Sequence, residues 1–158
     1  MKKKLVSIVV NCYNGETYLQ KTLDSILNQK YQNFEVIFID NCSTDSSSKI
    51  FKKIKDKRFK YFKTKKKISL YASRNLALKK VNGKFVAFCD VDDWWENDFL
   101  SSRKNFFSSP KIYGFSYSNC FHYFQNTKKF KTFYKKKLPS GFILNDLLKY
   151  YFIKISSI

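Results

Sequence analysis

Apolar and polar positions follow two different rhythms along the first two-thirds of the chain. Residues 5–12 (LVSIVVNC) and 34–41 (FEVIFIDN) are short, continuous, largely β-branched runs, the pattern of strands buried on both faces. Residues 59–64 (FKYFKT) alternate more weakly, and 84–90 (KFVAFCD) predict a fourth strand. The stretches between them keep a helical period. Residues 16–29 (ETYLQKTLDSILNQ) place Leu19, Leu23, Ile26 and Leu27 on one face, with Asn14-Gly15 as turn and cap. Residues 45–55 (DSSSKIFKKIK) turn Ile50, Phe51 and Ile54 inward and lysines outward. A third helix is predicted over 70–81 (LYASRNLALKKV), stopped by Asn82-Gly83, and a fourth over 96–107 (ENDFLSSRKNFF). Strand–helix alternation with short links builds βαβ units, so the predicted fold class is α/β, a mostly parallel sheet flanked by helices. Beyond Pro110 the rhythm changes. KIYGFSYSNCFHYF and FKTFYKK predict an antiparallel pair, 142–151 (FILNDLLKYY) a short helix, and FIKISSI opens another apolar run. No repeat and no flexible linker interrupts the chain, so one domain is expected, with residues 1–109 as its α/β half and 110–158 as the remainder.

Composition changes this picture little. The 158 residues are 44% hydrophobic and 19% aromatic, enough for a packed core and inconsistent with disorder. No stretch approaches the roughly 18–20 apolar residues that span a bilayer. The start, MKKKLVSIVVNCYN, has an apolar run of only about six residues, too short for a signal sequence. A soluble, cytoplasmic protein is therefore expected. Cys12, Cys42, Cys89 and Cys120 are scattered, with no CxxC and no histidine at ligand spacing, so they read as small packed thiols. His122, the single histidine, falls in the aromatic hairpin and reads as structural. The formal charge of +19 is almost all lysine, since Arg58, Arg74 and Arg103 are the only arginines. Lysine-rich stretches at 52–67 and 128–137 read as solvated faces, with attraction to an anionic membrane or nucleic acid as the functional alternative.

Against that positive background, AFCDVDDWW (87–95) is an anomaly, with Asp90, Asp92 and Asp93 inside four positions. In open α/β sheets, ligands bind beyond the carboxyl ends of the strands. Three polar clusters fall there: Asn11, Tyr13 and Asn14; Asp40, Asn41, Ser43, Thr44 and Asp45; and Asp90, Asp92 and Asp93. Parallel strands place all three on one rim. Neither GxGxxG nor GxxxxGK[ST] is present, and the chain has only four glycines, which excludes the usual phosphate cradles. Clustered carboxylates suit a hard divalent cation, Mn²⁺ or Mg²⁺, that keeps positions open for diphosphate oxygens. The competing reading is that Asp92 or Asp93 caps a helix starting near Trp94, which accounts for one aspartate and not three. A calcium loop fails on spacing, because its twelfth position from Asp90 is Ser101.

VSIVVNCYNGETYLQKTLDSILNQKYQNFEVIFIDNCSTDSS followed by YASRNLALKKVNGKFVAFCDVDDWW resembles the family 2 glycosyltransferases of the GT-A fold. The likeness runs from about residue 5 to about residue 100 and more loosely to the end. It rests on NCYN, IDNCSTD, ASRN and DVDD in family order and spacing. The resemblance implies a Rossmann-like nucleotide-diphospho-sugar transferase fold, with 1–109 as the nucleotide-sugar half and 110–158 as part of an acceptor region. Asn11 and Tyr13 would line the base pocket, Asp40 would hydrogen-bond the base, most often uracil, and Arg74 would lie close to the nucleotide. Asp90 and Asp92 would be the DxD pair, with Asp92 meeting the ribose or the metal and Asp93 a further metal ligand. Asp45 matches a motif position but serves a helix cap equally well, and Trp94 and Trp95 read as core or pocket wall. The implied reaction moves a sugar from a nucleotide-diphosphate donor, a UDP-sugar by preference, to an acceptor hydroxyl with inversion. It belongs to the making of cell-surface glycans.

The implied partners are a glycan or lipid-linked acceptor and the inner face of a membrane touched peripherally, with no nucleic acid. The family's general base follows a strand that this chain only begins at FIKISSI, and Asp146, the one carboxylate side chain after Asp98, reads as helix surface. No general base is therefore assigned, and a truncated enzyme with donor binding more secure than turnover is expected. Two other classes compete. A non-catalytic remnant would bind donor or a partner without turnover, and a basic nucleic-acid module would leave the aspartates unexplained. A phosphotransferase with an aspartate nucleophile is disfavoured because Trp94 stands where Thr or Val is usual.

Overall fold

The computed structural model describes residues 4–109, 111, 113–150 and 152–158. Pro110 and Ile112, beside and within the expected hairpin arm, and Tyr151 of the expected helix 142–151 lie outside the described residues. The chain divides into two compact units, Met1–Ile112 and Tyr113–Ile158.

The first unit is built on β1 (Val6–Cys12), β2 (Phe34–Asp40), β3 (Phe59–Lys63) and β4 (Phe85–Phe88), four parallel strands in the order β3-β2-β1-β4. Every residue of β1 and β2 is buried, as their unbroken apolar runs require of central strands, whereas the edge strands β3 and β4 are mostly half-buried. Alternation sends successive side chains to opposite faces. Val6, Ile8 and Val10 of β1 join Phe34, Val36 and Phe38 of β2 on one face, and Val9 joins Ile37 and Ile39 on the other.

Helix α1 (Glu16–Leu27) covers the first face with Leu19, Leu23 and Ile26, all fully buried, beside Phe51 of α2 (Ser47–Lys52). Each such side chain contributes about 1.5–3 kcal/mol of transfer free energy. Helix α3 (Leu70–Leu78) covers the second face through Ala77 and half-buried Leu76. Gly15 and Asn14 begin α1 as expected, Asn14 adopting φ 52°, but its cap comes from elsewhere in the chain. Asp45 Oδ2 accepts from Glu16 N at 2.9 Å, Ser47 Oγ accepts from Gly15 N at 2.9 Å, and Glu16 Oε2 accepts from Ser46 N at 2.8 Å. The amino ends of α1 and α2 thus satisfy each other's unpaired N–H groups.

The strand order reverses between β2-β1 and β4. By the rule for open α/β sheets, the ligand crevice lies at that reversal, beyond the carboxyl ends of β1 and β4. The expected fourth helix differs. Residues 97–100 form turns, followed by a 3-10 turn (Ser101–Arg103) and a short α4 (Lys104–Ser108). Gln29 and Lys30, just past α1, draw this backbone in, with Lys30 N donating to Asn97 O at 2.8 Å and Leu100 N donating to Gln29 Oε1 at 3.0 Å, so helical pairing starts late.

In the second unit, β5 (Phe121–Phe124) pairs antiparallel with β6 (Lys129–Thr132), as expected, and α5 (Leu144–Lys149) follows. FIKISSI does not enter a strand. Phe152 and Ile153 are buried with Ile143, and Ile155–Ser157 makes a 3-10 turn in which Ser157 N donates to Lys154 O at 2.9 Å. Among the described residues, no helix is long and apolar enough to cross a membrane.

Candidate functional site

Three strand ends supply the rim. Near the carboxyl end of β1, Asn11 is buried and its Oδ1 accepts from Ser73 Oγ of α3 at 2.7 Å, which ties strand to helix. Tyr13, two residues on, is 43% exposed and offers an aromatic face, with Lys67 Nζ 3.7 Å from the ring centroid. Asn14 bridges to the loop after β2, its Oδ1 accepting from Thr44 N at 2.9 Å and its N donating to Ser43 Oγ at 3.1 Å.

Asp40 closes β2 with no exposed surface. One carboxylate oxygen accepts from Ser43 N at 2.7 Å, the other accepts from the Tyr61 hydroxyl, and Lys63 Nζ lies 4.0 Å from that second oxygen. Burial, reinforced by the Asp40 bond and charge, pushes the Tyr61 phenol far up, so it remains a donor. Asn41 clamps the lysine-rich loop after β3, donating to Ile68 O at 2.8 Å and accepting from Ile68 N at 3.0 Å. Asp45 is absorbed by helix capping, as its alternative reading allowed.

After β4, Arg74 Nη2 of α3 donates to Asp90 Oδ1 at 2.8 Å. One arginine thus answers part of the carboxylate cluster. Arg74 Nε is buried and has no hydrogen-bond partner among the described residues, so the guanidinium keeps a polar atom in reserve beside the rim. Asp93 N donates to Asp90 O at 3.0 Å and closes a turn with Val91 and Asp92 at its corners. Asp92 and Asp93 are exposed, and no helix begins at Trp94 for either to cap. Beneath them Cys89 is buried. Desolvation first, then the Asp93, Asp90 and Asp92 charges, push its thiol well above its ordinary value, so it remains a neutral packing group. Cys12 and Cys89 are fully packed while Cys42 and Cys120 are half-buried, and none of the four is in a disulfide. Trp95 is core, stacked on Phe99 at 4.2 Å, and Lys21 Nζ sits 3.2 Å from the Trp94 ring centroid. His122 packs on Phe133 in the hairpin, and Asp146 is exposed on α5.

The rim therefore unites Asn11, Tyr13, Asp40, Arg74, Asp90, Asp92 and Asp93. Its support was not foreseen. Thr22, Ser25 and Gln29 line one face of α1 and its carboxyl end and hold the acidic loop by its backbone. The available signal was their polarity at positions interleaved with Leu19, Leu23 and Ile26, where a helix facing a core should be apolar.

Comparison with known proteins agrees with this fold. Residues 7–154 match the family model for glycosyl transferase family 2. The chain is 44% identical over 108 residues to an uncharacterized glycosyltransferase of Haemophilus influenzae, covering 67% of this chain and 43% of that protein. It is 39% identical over 116 residues to WfaP of Escherichia coli, a UDP-Glc:alpha-D-GlcNAc-diphosphoundecaprenol beta-1,3-glucosyltransferase, covering 73% and 46%. Thus the chain spans a little under half the length of these relatives. Among solved structures, Staphylococcus aureus TarS 1-349 in complex with UDP superposes with a TM-score of 0.61 at 33% identity, over 64% of this chain and 31% of that one. The mannosyltransferase PcManGT of Pyrobaculum calidifontis, at 24% identity and a TM-score of 0.63 over 68% and 33%, shares the fold. A parallel sheet with its polar rim at the strand-order reversal, and a family match spanning almost the whole chain, lead to one assignment: this chain belongs to glycosyl transferase family 2.

Proposed function

We propose that the rim binds the nucleotide and diphosphate of a UDP-sugar, and that the protein containing it transfers the sugar to an acceptor hydroxyl with inversion during cell-surface glycan assembly. The observation that carries this reading is the convergence of Asn11, Tyr13, Asp40, Arg74 and the Asp90–Asp93 turn at the crevice between β1 and β4. WfaP, by its name a UDP-Glc user acting on a lipid-linked diphosphate, and the UDP complex of TarS support the donor class.

In this proposal Tyr13 stacks on the base while Asn11 holds the adjoining strand end. Asp40, with no exposed surface, accepts from a base N–H only after the loop carrying Ser43 shifts aside, with the lone pairs that Ser43 and Tyr61 leave. Arg74, already paired with Asp90, turns its free N–H toward phosphate oxygens. Among the described residues no group of three His, Cys, Asp or Glu side chains could hold a metal by itself. The exposed Asp92 and Asp93 would hold Mn²⁺ or Mg²⁺ as one or two carboxylate ligands, with diphosphate and water completing the shell. Bound there, the ion would offset charge developing on the departing diphosphate. Asp92, whose carboxylate takes no hydrogen bond or ion pair among the described residues, is the ligand best placed for it. The acceptor is proposed to be a glycan or lipid-linked glycan at the inner face of a membrane, an anionic surface that would attract the exposed lysines of 52–67 in the first unit and, separately, those of 128–137 in the second.

Calorimetric titration with UDP, with and without Mn²⁺, tests the site. Binding strengthened by Mn²⁺ and lost in Asp92→Ala supports it. Equal binding by the variant removes Asp92 from the site. Retention of the protein on anionic vesicles at low salt and release at high salt would support the membrane contact; failure to bind at low salt would refute it.

A further inference from the structure

We infer that Thr22, in the middle of α1, is the positioning residue that sets the acidic turn. The inference rests on the donor-site reading for its function, but its structural part stands separately. Thr22 has no exposed surface, although its hydroxyl gains nothing from the apolar contact that Leu19, Leu23 and Ile26 make. Its Oγ1 lies 2.7 Å from Val91 O and 2.8 Å from Asp93 O, with Tyr18 O of its own helix farther off at 3.4 Å, and its single hydrogen is shared between the two nearer carbonyls. These carbonyls flank Asp92 on either side. One hydroxyl therefore pins both backbone positions around the residue whose carboxylate is offered to the ligand.

The same α1 surface holds the rest of the loop. Trp95 N donates to Ser25 Oγ at 3.1 Å, and Gln29 Nε2 donates to Glu96 O at 2.7 Å while its Oε1 accepts from Leu100 N at 3.0 Å. Gly15, at the start of the helix, lets the Val91 side chain come so close that an added Cβ would stand 2.6 Å from Val91 Cγ2. Val91 is thus seated by its side chain at Gly15 and by its carbonyl at Thr22. The hydrogen bonds from Thr22, Ser25 and Gln29 all go to backbone atoms of the loop, and the Asp92 and Asp93 side chains stay exposed. Outer groups of this kind fix the aim of a carboxylate without touching what it binds.

The chain carries a built-in reporter, because its only two tryptophans, Trp94 and Trp95, both sit in this loop. Thr22→Val keeps the volume and removes the hydroxyl; Thr22→Ser keeps the hydroxyl; Thr17→Val, at an exposed α1 position, is the control. Thr22→Val should raise acrylamide quenching of tryptophan and speed amide exchange over Val91–Trp95 while far-UV dichroism is retained. With UDP, the Mn²⁺-dependent gain in affinity should fall roughly 10- to 100-fold, the usual cost of losing an outer group at a metal site. Thr22→Ser should restore both readouts and Thr17→Val should change neither. Unchanged quenching and exchange in Thr22→Val would overturn the inference, and so would a serine variant as impaired as the valine. If Thr22→Val does not fold, the serine variant together with Thr22→Ala decides by the same two readouts. Failure of the wild-type protein to bind UDP would sink the donor-site reading instead, leaving the tryptophan and exchange results to judge Thr22.

Discussion

Replacing Glu35 with glutamine removes a negative charge from a place where the fold has gathered donors around it. Glu35 lies in β2 toward the amino end of the sheet, 5% exposed, away from the proposed donor rim. Its carboxylate accepts from Ser7 Oγ at 2.6 Å, from Lys60 Nζ at 2.7 Å, and from Asn82 N at 2.6 Å and Nδ2 at 3.1 Å. Burial by itself would raise the carboxyl, but the bonds from Lys60, Ser7 and Asn82 outweigh it and hold the group at about 2, against an ordinary 4.5. A depressed folded-state value means that the stabilisation is complete above pH 4.5 and is lost as pH falls toward 2. The difference corresponds to about 3 kcal/mol at neutral pH and about 1 kcal/mol at pH 3. Urea unfolding of wild type and Glu35→Gln at pH 7, 4.5 and 3 measures it. The variant should be less stable by about 3 kcal/mol at pH 7, and the gap should close by about two-thirds at pH 3. A gap that stays constant across this range would refute the reasoning, because the charged form would then carry none of the stabilisation.

Two further outcomes follow from the same geometry. Asp45→Ala removes acceptors from Glu16 N and Ser47 N, one at the amino end of each of two helices, and should lower the unfolding free energy by about 2 kcal/mol in urea titration, with a loss under 0.5 kcal/mol refuting the shared cap. Arg74→Lys keeps the charge but not the planar fork that meets Asp90. It should weaken UDP binding about tenfold by calorimetry while the thermal midpoint moves little, and a variant that binds like wild type would take Arg74 out of the donor site.

The four strands were legible because central parallel strands must be apolar on both faces, and Val6–Cys12 and Phe34–Asp40 are continuous runs. Helix α1 was legible for the complementary reason, its apolar residues recurring at helical spacing. The segment 96–107 misled because Phe99, Leu100, Phe106 and Phe107 carry a helix-like spacing, while the factor that delays the helix is hydrogen bonding to Gln29 and Lys30, far away in sequence. FIKISSI misled similarly, since a short apolar run reads alike whether it enters a strand or packs in a 3-10 turn beside Ile143.

The rim residues were readable because parallel topology alone decides which loops share an edge. What they bond to was not. The partnership of Asp40 with Tyr61 depends on the β2–β3 register, and that of Arg74 with Asp90 on how α3 packs across β1 and β2. The Glu35 cluster joins residues from β1, β2 and β3 and the turn before β4, and no local pattern marks it. Thr22 did leave a trace, as a polar residue on the buried side of an amphipathic helix.

The account stands or falls on where a divalent cation and a uridine diphosphate settle. Anomalous difference density at the manganese edge, from crystals grown with UDP and Mn²⁺, measures this directly. The expected result is a manganese peak within coordination distance of the Asp92 or Asp93 carboxylate, with the uracil against Tyr13 in the crevice between β1 and β4. A peak held by other residues, or a nucleotide away from that crevice, would contradict it.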